Sequence, residues 1–320
     1  MLYVVAGILT DSTDRVLICR RLPGKPMAGK WEFPGGKLER GEARIAGLRR
    51  ELDEELGIAV DRARPLIRFG HDYTSLSVTL DIWRVERFSG EPSGRQGQEL
   101  AWVEPAELPA LDLLEADRPI VTAITLPDRY LVTGPPFDDR RAFVARLDAA
   151  LGHGIELVQL RVPEEGSGEG RMAFRELAAD CLARCRAAGA RLLLNGAPQG
   201  MADLAGEIGA AGIQVPARYL GALRGMRGSR PGLIGVSCHD AEELAQAGRA
   251  GADFAVLGPV NPTASHPDAA PIGWPRFAAL VEPVRMPVYA IGGMRSADLP
   301  QAWGAGAQGI AAISSLWAER

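Results

Sequence analysis

Apolar residues follow two regimes along the chain. Residues 2–8 (LYVVAGI) and 15–20 (RVLICR) are short apolar runs around a polar turn at 10–14, which predicts a pair of strands. Between 43 and 56 the period lengthens. Leu48, Leu52 and Leu56 recur every four residues, which predicts a helix with one buried stripe, and Gly57 predicts its stop. The glycine-rich lead-in at 31–36 reads as a tight turn. Residues 64–73 and 77–88 read as a long antiparallel pair, with Leu80, Ile82 and Val85 in its apolar pattern. A further strand is predicted over 97–103 and a closing helix over 111–125, with Leu114, Ile120 and Ile124 inward. The sum is a mixed sheet with two helices.

From Tyr130 the pattern becomes an alternation of short apolar runs and amphipathic stretches. The runs lie at 130–133, 155–160, 191–194, 212–215, 233–236, 254–257, 287–291 and 309–313. Such evenly spaced strand–helix units fit a closed (β/α)₈ barrel better than an open doubly wound sheet. The polar link at 126–129 (LPDR) is too short to let two domains roam, and it separates an expected domain at 1–126 from one at 129–320. A length of 320 residues suits two domains.

Composition narrows the function classes. A net charge of −4 offers no broad basic field, so duplex nucleic acid is not an expected partner. A free nucleotide stays open, because a bound metal offsets its phosphates. No apolar run reaches membrane-spanning length, and the first residues lack a basic n-region and a cleavage site, so a cytoplasmic protein without membrane contact is expected. Cys181 and Cys185 are helically spaced rather than CxxC, and with Cys19 and Cys238 they read as buried thiols. Nothing in the composition decides between a monomer and a homo-oligomer.

The candidate chemistry begins on the predicted helix at 43–56. Glu51, Glu54 and Glu55 fall at i, i+3 and i+4, so three carboxylates share one face. Like charges at that spacing repel unless a cation sits among them, and a cluster of hard oxygen donors suits Mg²⁺, or Mn²⁺ in its place. Gly36, Glu42, Arg50-Glu51, Glu54-Glu55 and Gly57, with aliphatic Leu52 and Ile58, complete a pattern that resembles the Nudix box. The lead-in WEFPGGK at 31–37, the turn GEP at 90–92 and ADRPIV at 116–121 resemble the MutT subgroup, over residues 1 to about 126.

That resemblance implies an α/β/α sandwich that hydrolyses 8-oxo-dGTP to its monophosphate and pyrophosphate. It implies metal held by Glu51, Glu54, Glu55 and the Gly36 carbonyl, and Arg50 orienting a box carboxylate through a bidentate pair. The base stays open among the three glutamates, and Glu42 reads as a brace for the loop. The family often has another carboxylate before the tryptophan of the last strand. Here Ala101 precedes Trp102, and Glu99 is the nearest acid. Arg21 and Phe33 are candidates for sugar and base contacts, although Phe33 also suits the core. Asp117 stands where the subgroup reads the purine with an amide; an ionised carboxylate accepts but cannot donate.

In a barrel of this kind function gathers at the C-terminal ends of the strands. Arg161, Asn195, Ser237, His239, Thr263, Gly292, Gly293 and Ser314 occupy those positions. Gly292-Gly293, with Ser314-Ser315 opening an expected last helix, predicts a phosphate cradle. QLR at 159–161, GVSCHD at 235–240, GADFAVLGPVNPT at 251–263, AIGGM at 290–294 and GIAAIS at 309–314 resemble thiamine-phosphate synthase and its relative, thiazole tautomerase. The departures from the synthase are Pro163 for a basic residue, Gly196 and Tyr219 for two metal-binding acids, and His266 for a lysine. They argue for a barrel that has lost synthase chemistry and keeps a site for a phosphate-bearing thiazole or thiamine-like ligand. His239 is an acid/base candidate or a helix-capping residue. The competing reading is a thiamine-pathway protein whose barrel is a tautomerase or ligand sensor, and whose first domain hydrolyses damaged thiamine diphosphate analogues.

Overall fold

The structure, a computed structural model, describes residues 2–73, 76–162, 168–226, 230–263 and 269–317. Pro163 and His266 lie outside them. The chain divides into two compact units, Met1–Leu126 with Glu282–Arg285, and Pro127–Val281 with Met286–Arg320.

The first unit contains β1 (Leu2–Leu9), β2 (Val16–Arg20), β3 (Trp31–Glu32) and β4 (Gly35–Lys37), then α1 (Arg44–Leu56). β5 (Ala59–Tyr73), β6 (Leu76–Ser89), β7 (Leu100–Val103) and α2 (Arg118–Thr125) follow. One sheet runs β4-β1-β6-β5 and is mixed, since β1 and β6 are parallel and the other neighbours antiparallel. A second, antiparallel sheet runs β3-β2-β7. The pleat of β1 sends alternate residues to opposite faces. Val5 and Leu9 pack with Leu48, Leu52 and Leu56 of α1, whereas Ala6 and Ile8 pack with Ile120 and Ile124 of α2. The result is a helix–sheet–helix sandwich. Each fully buried leucine of the α1 stripe contributes about 1.5–3 kcal/mol relative to an exposed one. Gly57 closes α1 in the left-handed region at φ 74°, where its N–H donates to the Asp53 carbonyl.

Local readings differ from the structure in three places. Residues 31–36 are not a turn: β3 pairs with β2, and β4 pairs with β1. Glycine is required there by close packing, since a Cβ on Gly35 would stand 2.2 Å from the Val5 carbonyl oxygen. The closing helix begins only at Arg118. Leu108–Ala110 and Glu115–Asp117 are 3₁₀ turns, and Pro119 has no N–H to extend a helix beyond its first turn. The strand expected from 97 starts at Leu100, after a turn in which Gly97 has φ 84°.

The second unit alternates β8 (Arg129–Val132), α3 (Arg140–Gly152), β9 (Leu157–Leu160), α4 (Gly168–Ala187), β10 (Arg191–Asn195) and α5 (Pro198–Ile208). It continues with β11 (Gly212–Val215), α6 (Leu220–Leu223), β12 (Leu233–Cys238), α7 (Ala241–Arg249) and β13 (Phe254–Leu257). α8 (Gly273–Val281), β14 (Val288–Ile291), α9 (Leu299–Gly304) and β15 (Gly309–Ala312) complete it. The eight strands are parallel and close into a barrel, β15 pairing with β8. Tyr130, Phe254 and Tyr289 fill its interior with ring centroids 5.4 to 5.6 Å apart. Ser314 and Ser315 do not open a helix; the chain turns after β15, with Leu316 and Trp317 both donating to the Ile313 carbonyl. Among the described residues no helix is long and apolar enough to cross a membrane.

Candidate active site and ligand cavity

In the first unit the chemistry lies where α1 crosses β4. The buried stripe of α1 turns Glu51, Glu54 and Glu55 away from the core. Glu51 lies directly against β4: a Cβ on Gly36 would be 2.2 Å from Glu51 Oε2, so glycine is what admits the carboxylate. Glu55 Oε2 accepts from the Gly35 N–H at 3.1 Å. Burial, with smaller contributions from Glu32 and Glu51, pushes the Glu55 carboxyl up to about 7. Glu54 is the exposed member of the three.

Arg50 sits among these groups, but its bidentate partner is Glu42. Nε and Nη2 donate to the two Glu42 oxygens at 3.0 Å each, and Nη2 also donates to the Lys37 carbonyl. Glu51 and Glu54 each receive one contact from Nη1, at 2.9 and 3.4 Å. The expected bidentate pair with a box carboxylate is therefore present, formed with Glu42 rather than with one of the three helix glutamates. Glu42 is the anchor because it also accepts from the Glu39 N–H, which ties the loop before α1.

Behind Glu55 a small cleft holds Arg21, Glu32 and Gln98. Arg21 pairs with Glu32, whose carboxyl is pushed up by burial and held back by Arg21. Asp117 is buried, and its Oδ2 has no hydrogen-bond partner among the described residues. Burial first, then the charge of Glu32, raises its carboxyl well above the ordinary range, with Arg21 opposing. A carboxyl raised in this way keeps its proton to higher pH, and in that form it donates as well as accepts, as an amide does. Phe33 belongs to the core with Ile8, Val16 and Phe69, which corrects its reading as a base contact. Glu99 is not gathered with the box: its carboxylate pairs with Arg20 at 3.1 Å. Glu32 and Gln98 were missed. The pairing of Glu32 in β3 with Arg21, just past the end of β2, leaves no local signal, while Gln98, which donates to the Glu55 carbonyl, sits beside Glu99 in sequence.

Among the described residues no group of three or more His, Cys, Asp or Glu side chains is arranged to hold a metal ion. The donors at the box still have the right chemistry for one: hard carboxylate oxygens, crowded enough that burial and neighbouring charge hold Glu55 half protonated near neutrality.

In the second unit a cavity of about 910 Å³ opens at the C-terminal ends of the strands. Arg161, Asn195, Ser237, His239, Thr263, Gly292, Gly293 and Ser314 all line it. Gly292 and Gly293 have φ 100° and 63°, and side chains there would strike Pro259 and the Pro262 carbonyl. Ser315 Oγ donates to the Met294 carbonyl, so it serves its own turn. The His239 ring contacts Glu243 at 2.9 Å, and the cap of α7 is Asp240, which accepts from the Glu243 N–H. Arg218 and Arg295 also line the cavity and were overlooked; both follow strand ends, where position alone points to function.

Residues 4–123 match the model of the NUDIX domain, and residues 129–316 match that of thiamine monophosphate synthase. The chain is 35% identical over 123 residues to an 8-oxo-dGTP diphosphatase of Escherichia coli, covering 38% of this chain and 95% of that protein. It is 36% identical over 196 residues to a putative thiamine-phosphate synthase of Geobacter sulfurreducens, covering 59% and 86%. Among solved structures it resembles the thiamine phosphate pyrophosphorylase of Pyrococcus furiosus, at 26% identity and a TM-score of 0.47, covering 60% and 88%.

Proposed function

The chain belongs to the Nudix hydrolases by its first unit and to the thiamine monophosphate synthase family by its second; on that premise we propose a magnesium-dependent pyrophosphohydrolase of oxidised purine nucleoside triphosphates. Residues 1–126 and 129–320 act as its two working domains. The observation that carries the reading is the seating of Glu51 against Gly36 and of Glu55 on the Gly35 N–H, which brings two carboxylates to one strand.

Glu51, Glu54, Glu55 and the Gly36 carbonyl would hold Mg²⁺, or Mn²⁺, and the bound ion would supply charge neutralisation at the phosphates. Water attacks the β-phosphorus while a box carboxylate takes its proton. The oxygen bridging the α- and β-phosphorus leaves with the nucleoside monophosphate, and the outer phosphates leave as pyrophosphate. Glu51, Glu54 and Glu55 are the candidate bases; a carboxyl near 7 suits Glu55 to proton exchange at neutral pH. Arg50 holds Glu51 and Glu54 in place through its anchor on Glu42. Arg21 and Asp117, whose carboxyl burial raises, offer the purine a donor and an acceptor in a buried setting, where an unmatched base leaves polar groups unpaired.

The barrel binds a phosphorylated thiazole- or thiamine-like ligand in its cavity, with the phosphate at Gly292-Gly293 and Ser314. Synthase chemistry is not part of the proposal, because Gly196 and Tyr219 stand where metal-binding acids are needed. Full-length protein with Mg²⁺ should be assayed against 8-oxo-dGTP, dGTP, ADP-ribose and oxidised thiamine diphosphate. The reading expects 8-oxo-dGTP to have the highest kcat/KM, pyrophosphate as product, and loss of at least about a hundredfold in Glu54→Gln or after chelation. A higher kcat/KM for the thiamine compound would replace it with the thiamine-pathway reading.

A further inference from the structure

The barrel interior carries a line of polar side chains between its aromatic rings. Asn195 Nδ2 donates to Gln159 Oε1 at 3.0 Å. Gln159 Nε2 donates to the Tyr130 hydroxyl at 3.3 Å, and that hydroxyl donates to Gln214 Oε1 at 3.1 Å. Gln214 Nε2 then donates to Ser237 Oγ at 3.1 Å. Five residues from β8 to β12 thus form one chain with a single direction of donation. Tyr130, Gln159 and Gln214 are 0%, 4% and 0% exposed, so water does not compete for these bonds. Asn195 and Ser237, the two ends, line the cavity, as does Gln159, whereas Tyr130 and Gln214 do not.

Direction has a chemical consequence. Ser237 Oγ already accepts from Gln214, so its own O–H remains as a donor. Asn195 has one N–H committed to Gln159, which turns its carbonyl oxygen away from the chain. Burial keeps the Tyr130 hydroxyl protonated, so it can accept and donate at once. Room for the chain is also provided: a Cβ on Gly235 would stand 2.3 Å from Gln214 Oε1 and 2.4 Å from the Phe254 ring.

We infer that Tyr130 and Gln214 are positioning residues for ligand recognition in the barrel: without reaching the cavity, they set Ser237 as a donor and the Asn195 carbonyl as an acceptor. The pair selects a nitrogen heterocycle that offers an acceptor to Ser237 and an N–H to Asn195. This rests on the ligand reading given above, which supplies the phosphate end of the same molecule.

The test uses full-length protein, with thiamine monophosphate and inorganic phosphate as probes in calorimetric titrations. Tyr130→Phe keeps the ring and removes the hydroxyl. It should weaken thiamine monophosphate about tenfold, the scale of one buried hydrogen bond, and leave phosphate binding unchanged. Ser237→Ala should weaken it similarly, and the double variant should lose less than the sum of the two, because part of the Tyr130 effect passes through Ser237 and the rest through Asn195. Additive losses, or equal losses for both probes, overturn the inference. Side-chain amide resonances of Gln159 and Gln214 in ligand-free protein give a readout that needs no ligand. Both should shift in Tyr130→Phe, and unchanged resonances also overturn it. Protein with those shifts that takes up phosphate but not thiamine monophosphate refutes the ligand reading, and with it the heterocycle selection, while leaving the orientation of Ser237 standing.

Discussion

Asp117→Asn tests the buried acid in the first unit. Burial raises the Asp117 carboxyl above its unfolded value of 3.8, so the folded protein keeps a proton that the unfolded chain has released. Folding must then take up a proton. The stability of the wild type therefore falls as pH rises from 3.8 toward the folded value, by about 1.4 kcal/mol per unit. Between the unfolded value and neutral pH the interval is about 3.2 units, which sets a ceiling of roughly 4 kcal/mol. Asparagine has no such proton to acquire. It brings two N–H groups to a place where Oδ2 has no partner, which costs about 1–3 kcal/mol. The variant should gain on the wild type as pH rises from 5 to neutral, by at most about 3 kcal/mol over those two units. Hydrogen exchange at β1 and β6 amides in metal-free, full-length protein reads the opening of this unit alone, at several pH values and corrected for intrinsic rates. Glu32 and Glu55 titrate in both proteins, so the difference isolates Asp117. A difference that stays within about 0.5 kcal/mol from pH 5 to 7 would mean an ionised Asp117 and would refute the reasoning.

Further consequences concern the box. Gly36→Ala places a methyl group 2.2 Å from Glu51 Oε2 and must turn that carboxylate aside, so the Mg²⁺ concentration for half-maximal turnover should rise at least about tenfold; an unchanged Mg²⁺ dependence would contradict the seating of Glu51. Arg50→Lys cannot grip both Glu42 oxygens and touch Glu51 as well. It should lower kcat more than it raises KM and cost about 1 kcal/mol of stability, the modest value expected of a partly exposed network, as thermal unfolding and steady-state kinetics would show.

Much of the architecture was written in local periodicity. The four-residue recurrence of Leu48, Leu52 and Leu56 specifies the face of α1, and the glutamates that face leaves outside follow without a structure. The eight apolar runs announced the barrel because each strand buried on both faces reads as a continuous apolar stretch. The strand-end rule then collected the cavity residues from Arg161 to Ser314.

Other features depend on residues that meet only in the folded chain. Pro119 shortens the closing helix, a local rule overlooked, but β3 and β4 exist because β2 and β1 offer them edges. Whether Arg50 would choose Glu42 or Glu51 depended on how the loop at 37–42 folds back on α1. The upward push on the Asp117 carboxyl comes from burial and from Glu32 of β3, and the direction of donation from Asn195 to Ser237 runs through Tyr130 and Gln214, 84 residues apart. Sequence by itself determines which groups are present and on which face of their own element they stand. Desolvation and hydrogen-bond direction are properties of the surroundings, assembled from distant segments, and only the tertiary structure decides them.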